Sequence, residues 1–171
     1  MAAKGMAVVT LWVTTLDQDL ARKLELRAPT PSKRITTISS LAALGIPTGV
    51  LAAPMISALN DMELEKILET ASKAGASSAG CIMLRLPLKI SDLSKEWLES
   101  HYLNPADHLL SLVRQTRGGA MYDPRWGQRA VGFGPYADLL NQRFKLALKK
   151  YDLDTSQFQR PPQTGDQLDL F

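Results

Sequence analysis

The sequence predicts an α/β fold: a parallel β-α-β-α-β unit over residues 1–87, a helical region over residues 88–153 and a polar tail over residues 154–171. Three observations predict it. Apolar runs at Val8–Thr14, Val50–Ala53 and Ala79–Leu86 have strand length and composition. Two segments with helical periodicity separate these runs, and a glycine closes each, Gly45 and Gly75. After Pro87 the strand-like runs stop and only helical periodicity remains. Strands alternating with helices imply right-handed crossovers and a parallel sheet.

The first strand, VVTLWVT, runs into Thr15-Leu16-Asp17, where Thr15 or Asp17 can cap the short helix QDLARKL. A Pro-limited loop follows at Glu25–Pro29. Thr30 and Pro31 suit the start of the next helix, whose Ile35, Ile38, Leu41 and Ala42 form one apolar face. Val50–Ala53 is nearly continuous in apolar residues, the pattern of a strand covered on both faces. Asn60 and Asp61 either line the strand-end site or, as their position favours, cap a third helix carrying Leu64, Ile67, Leu68 and Ala71. Three strands leave an edge without a neighbour at Val8–Thr14, which favours self-association. Further on, Ser91 can cap a helix with Leu93, Trp97 and Leu98. Asn104-Pro105 opens another, with Leu109, Leu110 and Val113. Pro135 opens the last, with Tyr136, Leu140, Phe144, Ala147 and Tyr151 on one face. A Gly-rich loop, Gly118–Gly134, lies between the last two. The tail from Asp154 is polar and Pro-bearing, and its composition predicts disorder.

Composition sets outer bounds. The chain has 171 residues, enough for one core, with 45% hydrophobic and 22% charged residues. A net charge of +3 permits nucleic-acid contact without arguing for it, because the basic residues are spread out. No apolar run has membrane-spanning length, and the N-terminus lacks the long apolar region of a signal peptide. A single cysteine, Cys81, cannot form an intramolecular disulfide, and it fits a buried, reduced thiol in a cytoplasmic protein.

The order of short motifs carries more. These are VTTLD at Val13–Asp17, ELRAP at Glu25–Pro29, APMISALND at Ala53–Asp61, LRLP at Leu84–Pro87, RGGAMYD at Arg117–Asp123 and GPYADL at Gly134–Leu139. In this order and spacing they resemble the C-terminal half of radical S-adenosylmethionine (radical SAM) proteins of the spore photoproduct lyase, or DNA-repair-photolyase-like, branch. The resemblance implies a partial (β/α) barrel, with these three strands as its last three. It implies S-adenosylmethionine held across the strand tops beside a [4Fe-4S] cluster, whose one-electron reduction cleaves the sulfonium and releases a 5′-deoxyadenosyl radical. The CxxxCxxC run that ligates such a cluster is absent, and one cysteine cannot replace it. The cluster ligands would then belong to a segment or chain other than this one, and this chain alone is expected to be inactive. Where such proteins carry Pro-Gly after the second of these strands, Ser57-Ala58 stands here. Without glycine, a turn with positive φ is harder to form at that place.

Individual residues admit two readings each. Thr14 and Thr15, at a strand's C-terminal end, either bond a cofactor ribose or carboxylate, as the resemblance implies, or serve as ordinary strand and cap residues. Arg27 is a planar donor fork suited to the methionyl carboxylate, or a surface partner of Glu25. Leu84, Arg85 and Leu86 occupy the position that the resemblance assigns to adenine contact, with Arg85 otherwise reaching solvent. Arg125 and Arg129, interleaved with Tyr122 and Trp126, can contact a nucleic-acid substrate, or the loop simply packs over one end of the sheet. His101 and His108 bring too few converging ligands for a metal and read as partly exposed helix residues.

The C-terminal Gln167-Leu168-Asp169-Leu170-Phe171 resembles the pentapeptide by which many bacterial replication and repair proteins bind the sliding clamp. Leu170 and Phe171 would fill an apolar pocket, Leu168 a smaller neighbour, and Gln167 would bond at its rim. The polar stretch before them has the character of a tether. The competing reading folds these three apolar residues back on the chain's own surface.

Overall fold

A computed structural model describes residues 8–86, 88–101, 106–119 and 132–155. Elements follow in the order β1 (Val9–Trp12), α1 (Gln18–Leu24), α2 (Pro31–Ala43), β2 (Thr48–Met55), a 3₁₀ turn (Asp61–Glu63), α3 (Leu64–Lys73), β3 (Ser78–Met83), α4 (Leu88–His101), α5 (Ala106–Gln115) and α6 (Pro135–Tyr151). The three strands form one parallel sheet in the order β1-β2-β3, so the alternation read from the sequence gives the α/β class. No helix among the described residues is long and apolar enough to cross a membrane.

Start and stop residues act locally as their chemistry dictates. Asp17 caps α1 by accepting from the amides of Asp19 and Leu20 at 2.7 and 3.1 Å. Thr30 caps α2, with Pro31 in the first turn where its missing N–H costs nothing. Gly45, at φ 71°, ends α2, its amide bonding the Ala42 carbonyl. Asn60, by contrast, makes no side-chain cap bond, and Ser91 lies inside α4. Asn60 is spent on longer-range partners described below.

One face of the sheet carries the main core. Register places Leu11 beside Val50 and Val50 beside Ala79. This apolar row packs with Ile38 of α2, Leu64, Ile67, Leu68 and Ala71 of α3, and Leu140 and Ala147 of α6. Burying each large aliphatic side chain contributes about 1.5–3 kcal/mol. A second cluster, Ile56, Leu86, Leu98, Leu109, Leu110 and Val113, joins the strand ends to α4 and α5.

Both sheet margins are partly covered. At β3, Asp154 pairs in parallel with Ser78: its carbonyl accepts from the Ala79 amide at 2.9 Å and its amide donates to Ser77 at 3.0 Å. Asp154, expected to open the polar tail, thus belongs to the sheet, and residues 156–171 lie outside the described residues. At β1, Arg34 Nη1 donates to the Trp12 carbonyl at 2.7 Å. Among the described residues nothing pairs with the rest of that edge, and Val8, Val9 and Trp12 are 44%, 36% and 56% exposed.

Gly75 is required twice over. Its φ is 98°, and a Cβ there would lie 2.6 Å from Ala42 Cβ, where the end of α3 meets α2. Gly45 also has positive φ, but nothing lies within 4 Å of a Cβ built on it. Gly75→Ala is therefore expected to cost about 3 kcal/mol and Gly45→Ala about 1 kcal/mol. Thermal melts check this: Gly75→Ala should lower Tm by roughly 6–12 °C, and equal shifts for the two variants would contradict it.

Candidate functional site

In a parallel α/β sheet, ligands collect outside the C-terminal strand ends. Here those ends are Val13–Thr15 after β1, Ile56–Asn60 after β2 and Leu84–Leu86 after β3. A fully buried carboxamide, that of Asn60, ties the first two together. Its Oδ1 accepts from the Ile56 amide at 2.6 Å, while Nδ2 donates to the carbonyls of Thr14 and Pro54 at 2.7 and 3.0 Å. The Ile56 amide and the Thr14 carbonyl lie past the strand ends, and the Pro54 carbonyl lies in the irregular stretch of the β2–β3 register. The third end is added by the Leu84 amide, which donates to the Met55 carbonyl at 2.8 Å past an irregularity in the β2–β3 register.

Charged groups complete the frame. Glu63 accepts from Thr15 Oγ1 at 2.6 Å and from the Leu16 amide at 2.7 Å, joining the β1 end to the start of α3. Glu25 receives Thr14 Oγ1 at 2.8 Å and pairs with Arg34. Buried Arg117 donates through Nη2 to the carbonyls of Met83 and Leu84, at 3.4 and 3.1 Å. Tyr136 donates to Asp61, and the Ala58 amide donates to the Tyr136 hydroxyl at 3.4 Å. Burial, then the bond to Asp61, raises the Tyr136 pKa. Arg143 grips Glu65 through two nitrogens at 2.6 and 2.7 Å, which holds the Glu65 carboxyl below its usual range. These contacts lock the turn after β2, where Ala58 adopts φ 61°. The positive-φ turn thus forms without glycine, at a conformational cost of about 1–2 kcal/mol.

Above this frame lies an apolar cavity of about 320 Å³. Pro54, Ile56, Leu84 and Leu86 form its floor, Leu24 of α1 one wall, and Leu93, Trp97, Leu98 and Leu109 of α4 and α5 its roof. The indole of Trp97 donates to the Lys23 carbonyl at 3.2 Å, fastening the roof to α1. The cavity can hold an apolar or planar group by contact, with strand-end backbone at its rim.

The sequence-predicted residues distribute unevenly around this site. Leu84 and Leu86 meet in the cavity, whereas Arg85 between them is exposed. Thr14 and Thr15 are buried, and both hydroxyls are engaged: Thr14 lies within bonding distance of Glu25 and of the Ala53 carbonyl (2.9 Å), and Thr15 donates to Glu63 while accepting from the Asp17 amide. Arg27 is exposed on the loop after α1, and Glu25 pairs with Arg34 in place of Arg27. Arg125, Arg129 and Gln167–Phe171 lie outside the described residues. Among the described residues, no three His, Cys, Asp or Glu side chains converge on a metal position. His101 stacks on Trp97 at a ring separation of 4.8 Å, and His108 is exposed. Cys81 sits half-buried in β3, where burial pushes its thiol up to about 12.

No family model and no solved structure matches the chain. Three uncharacterized mycobacterial proteins do, two from strains of Mycobacterium tuberculosis and one from Mycobacterium bovis. Each is 27% identical over 150 residues, which are 86% of this chain and 40% of the relative.

The Asn60 tie makes a stability prediction. Asn60→Ala removes the partner of two buried backbone groups and of the half-buried Pro54 carbonyl, and should cost about 3 kcal/mol. Asn60→Asp should cost more, because it turns a carboxylate oxygen toward the two carbonyls that Nδ2 now serves. Denaturant melts test the order; an Asn60→Ala variant within about 0.5 kcal/mol of the parent would contradict it.

Proposed function

We propose that this chain is the S-adenosylmethionine-binding half of a radical SAM enzyme of the DNA-repair-photolyase-like branch, with its three strands as part of a (β/α) barrel. One observation carries the reading: Leu84, Leu86, Ile56 and Pro54 converge on a cavity at the C-terminal ends of the parallel strands β2 and β3. That is the position which the motif order assigns to adenine. In this reading the cavity floor takes the adenine ring by apolar contact. Strand-end backbone at its rim bonds the ring's edge. Arg27, exposed on a loop at the same end of the sheet, takes the methionyl carboxylate. Thr14 and Thr15 act through the strand end that they hold in place, since their hydroxyls serve Glu25, Ala53 and Glu63. The sulfonium of the bound cofactor, when reduced, supplies radical chemistry. The reducing [4Fe-4S] cluster does not fit this chain's own residues, because Cys81 is its single cysteine and lies in the sheet. Its ligands belong to a further segment or chain. Arg125 and Arg129 remain candidates for contact with a nucleic-acid substrate.

A second reading rests on the terminal Gln-Leu-Asp-Leu-Phe, all five positions of which match the clamp-binding pattern. There the chain is a non-catalytic binding module carried to replicating DNA by the sliding clamp. Anisotropy of a labelled 154–171 peptide against a bacterial clamp separates the two. Binding near micromolar clamp that Leu170→Ala and Phe171→Ala abolish supports the module.

Titration calorimetry with S-adenosylmethionine tests the first reading. The chain should bind the cofactor with a dissociation constant of roughly 10–500 µM, weakened at least about tenfold by Leu84→Asp and about threefold to tenfold by Arg27→Ala. After anaerobic reconstitution with iron and sulfide it should stay colourless. No binding up to about 1 mM would sink the proposal, and so would unchanged affinity in both variants.

A further inference from the structure

We infer that the open edge of β1 is an interface with a second copy of this chain, joined antiparallel about a twofold axis that passes beside Thr10. The inference stands on sheet geometry and concerns this chain by itself; the barrel of the preceding reading would place a further strand at the same edge. Within the sheet, Val9 and Val13 donate to Pro47 and Leu51, so the odd-numbered residues of β1 serve β2. The backbone groups of Val8, Thr10 and Trp12 therefore face outward. Arg34 takes one lone pair of the Trp12 carbonyl and leaves the other.

Side chains decide the occupant. Val8, Thr10 and Trp12 share one face of the sheet, and Val9 and Leu11 share the other. Val8, Val9 and Trp12 are all exposed, so the edge is apolar above and below at once. A twofold axis at Thr10 makes it self-complementary. Outward residues then form the hydrogen-bonded pairs Val8–Trp12 and Thr10–Thr10 between copies. Val9 and Leu11 form the close, non-hydrogen-bonded pairs on the opposite face. Aromatic with β-branched, threonine with threonine and aliphatic with aliphatic are the favourable cross-strand combinations. No like charges meet. The product is a six-stranded sheet with closed twofold symmetry. Five residues a side is a small interface, so the expected dissociation constant is about 10–100 µM. A cluster-bearing segment that adds a strand at the same edge would exclude this dimer.

Two measurements on the full chain test it. Sedimentation equilibrium between about 2 and 200 µM should show a reversible monomer–dimer equilibrium, spanning that dissociation constant on both sides. Thr10→Pro should weaken it at least tenfold while the circular dichroism spectrum is kept, since the Thr10 amide serves no bond to β2. Register is tested with two single-cysteine additions. A Val9→Cys chain and a Leu11→Cys chain should form an intermolecular disulfide with oxidised glutathione when mixed, and neither should do so alone. Their Cα atoms would lie about 4.5 Å apart, within disulfide range. Both chains carry Cys81→Ser, so that the added thiol is the single one in each. A monomer at all concentrations overturns the proposal, as does a dimer indifferent to Thr10→Pro, or a disulfide formed by either chain alone.

Discussion

A single buried carboxamide ties together the C-terminal strand ends of this sheet. Parallel strands stop pairing where their connections leave, so each C-terminal end strands a few amides and carbonyls. Asn60, itself fully buried, gathers three of them, from Ile56, Thr14 and Pro54. In so dry a place each of these bonds is strong, and each loss is costly. The ends of β1 and β2 are thereby held in one fixed relation, and the Leu84 amide hangs the end of β3 on the same frame.

The remaining polar contacts work outward from that point. Glu63 and Glu25 bind the threonines after β1, Arg117 binds the carbonyls after β3, and Tyr136 reaches from α6 to the turn after β2. Each strand end is thus held by a group distant in sequence, from 11 residues for Glu25 to 78 for Tyr136. The apolar cavity sits on a floor that these bonds hold in place. The roof of α4 and α5 rests on apolar contact and on one indole bond to Lys23. The floor is the more firmly built half.

Much of the scaffold was legible because its causes are local. Thr30-Pro31, Gly45, Gly75 and Pro135 set helix limits through their own backbone preferences. The apolar run after Val50 marked a strand covered on both sides. The strand-end polar frame was not legible. Asn60-Asp61 ahead of a helical period has the local signature of a cap, and nothing nearby in sequence reveals that the carboxamide turns inward. Thr14 and Thr15 looked equally fit for a ligand or for the fold, and only the positions of Glu25 and Glu63 show where their hydroxyls go. Arg117 read as part of a Gly-rich motif, although its burial against strand-end carbonyls is what it contributes. Ala58 shows the same limit from the other side: sequence preference argued against a positive φ there, and tertiary bonds impose it.

The dependence of the strand ends on Asn60 is open to direct measurement by nuclear magnetic resonance. Hydrogen exchange of the Asn60 side-chain amide and of the Ile56 backbone amide should be slow, with both opening only when the whole domain unfolds. Both should also respond alike to denaturant. Exchange of either group at rates typical of exposed amides, while the β2 core amides stay protected, would contradict the claim that this carboxamide holds the site together.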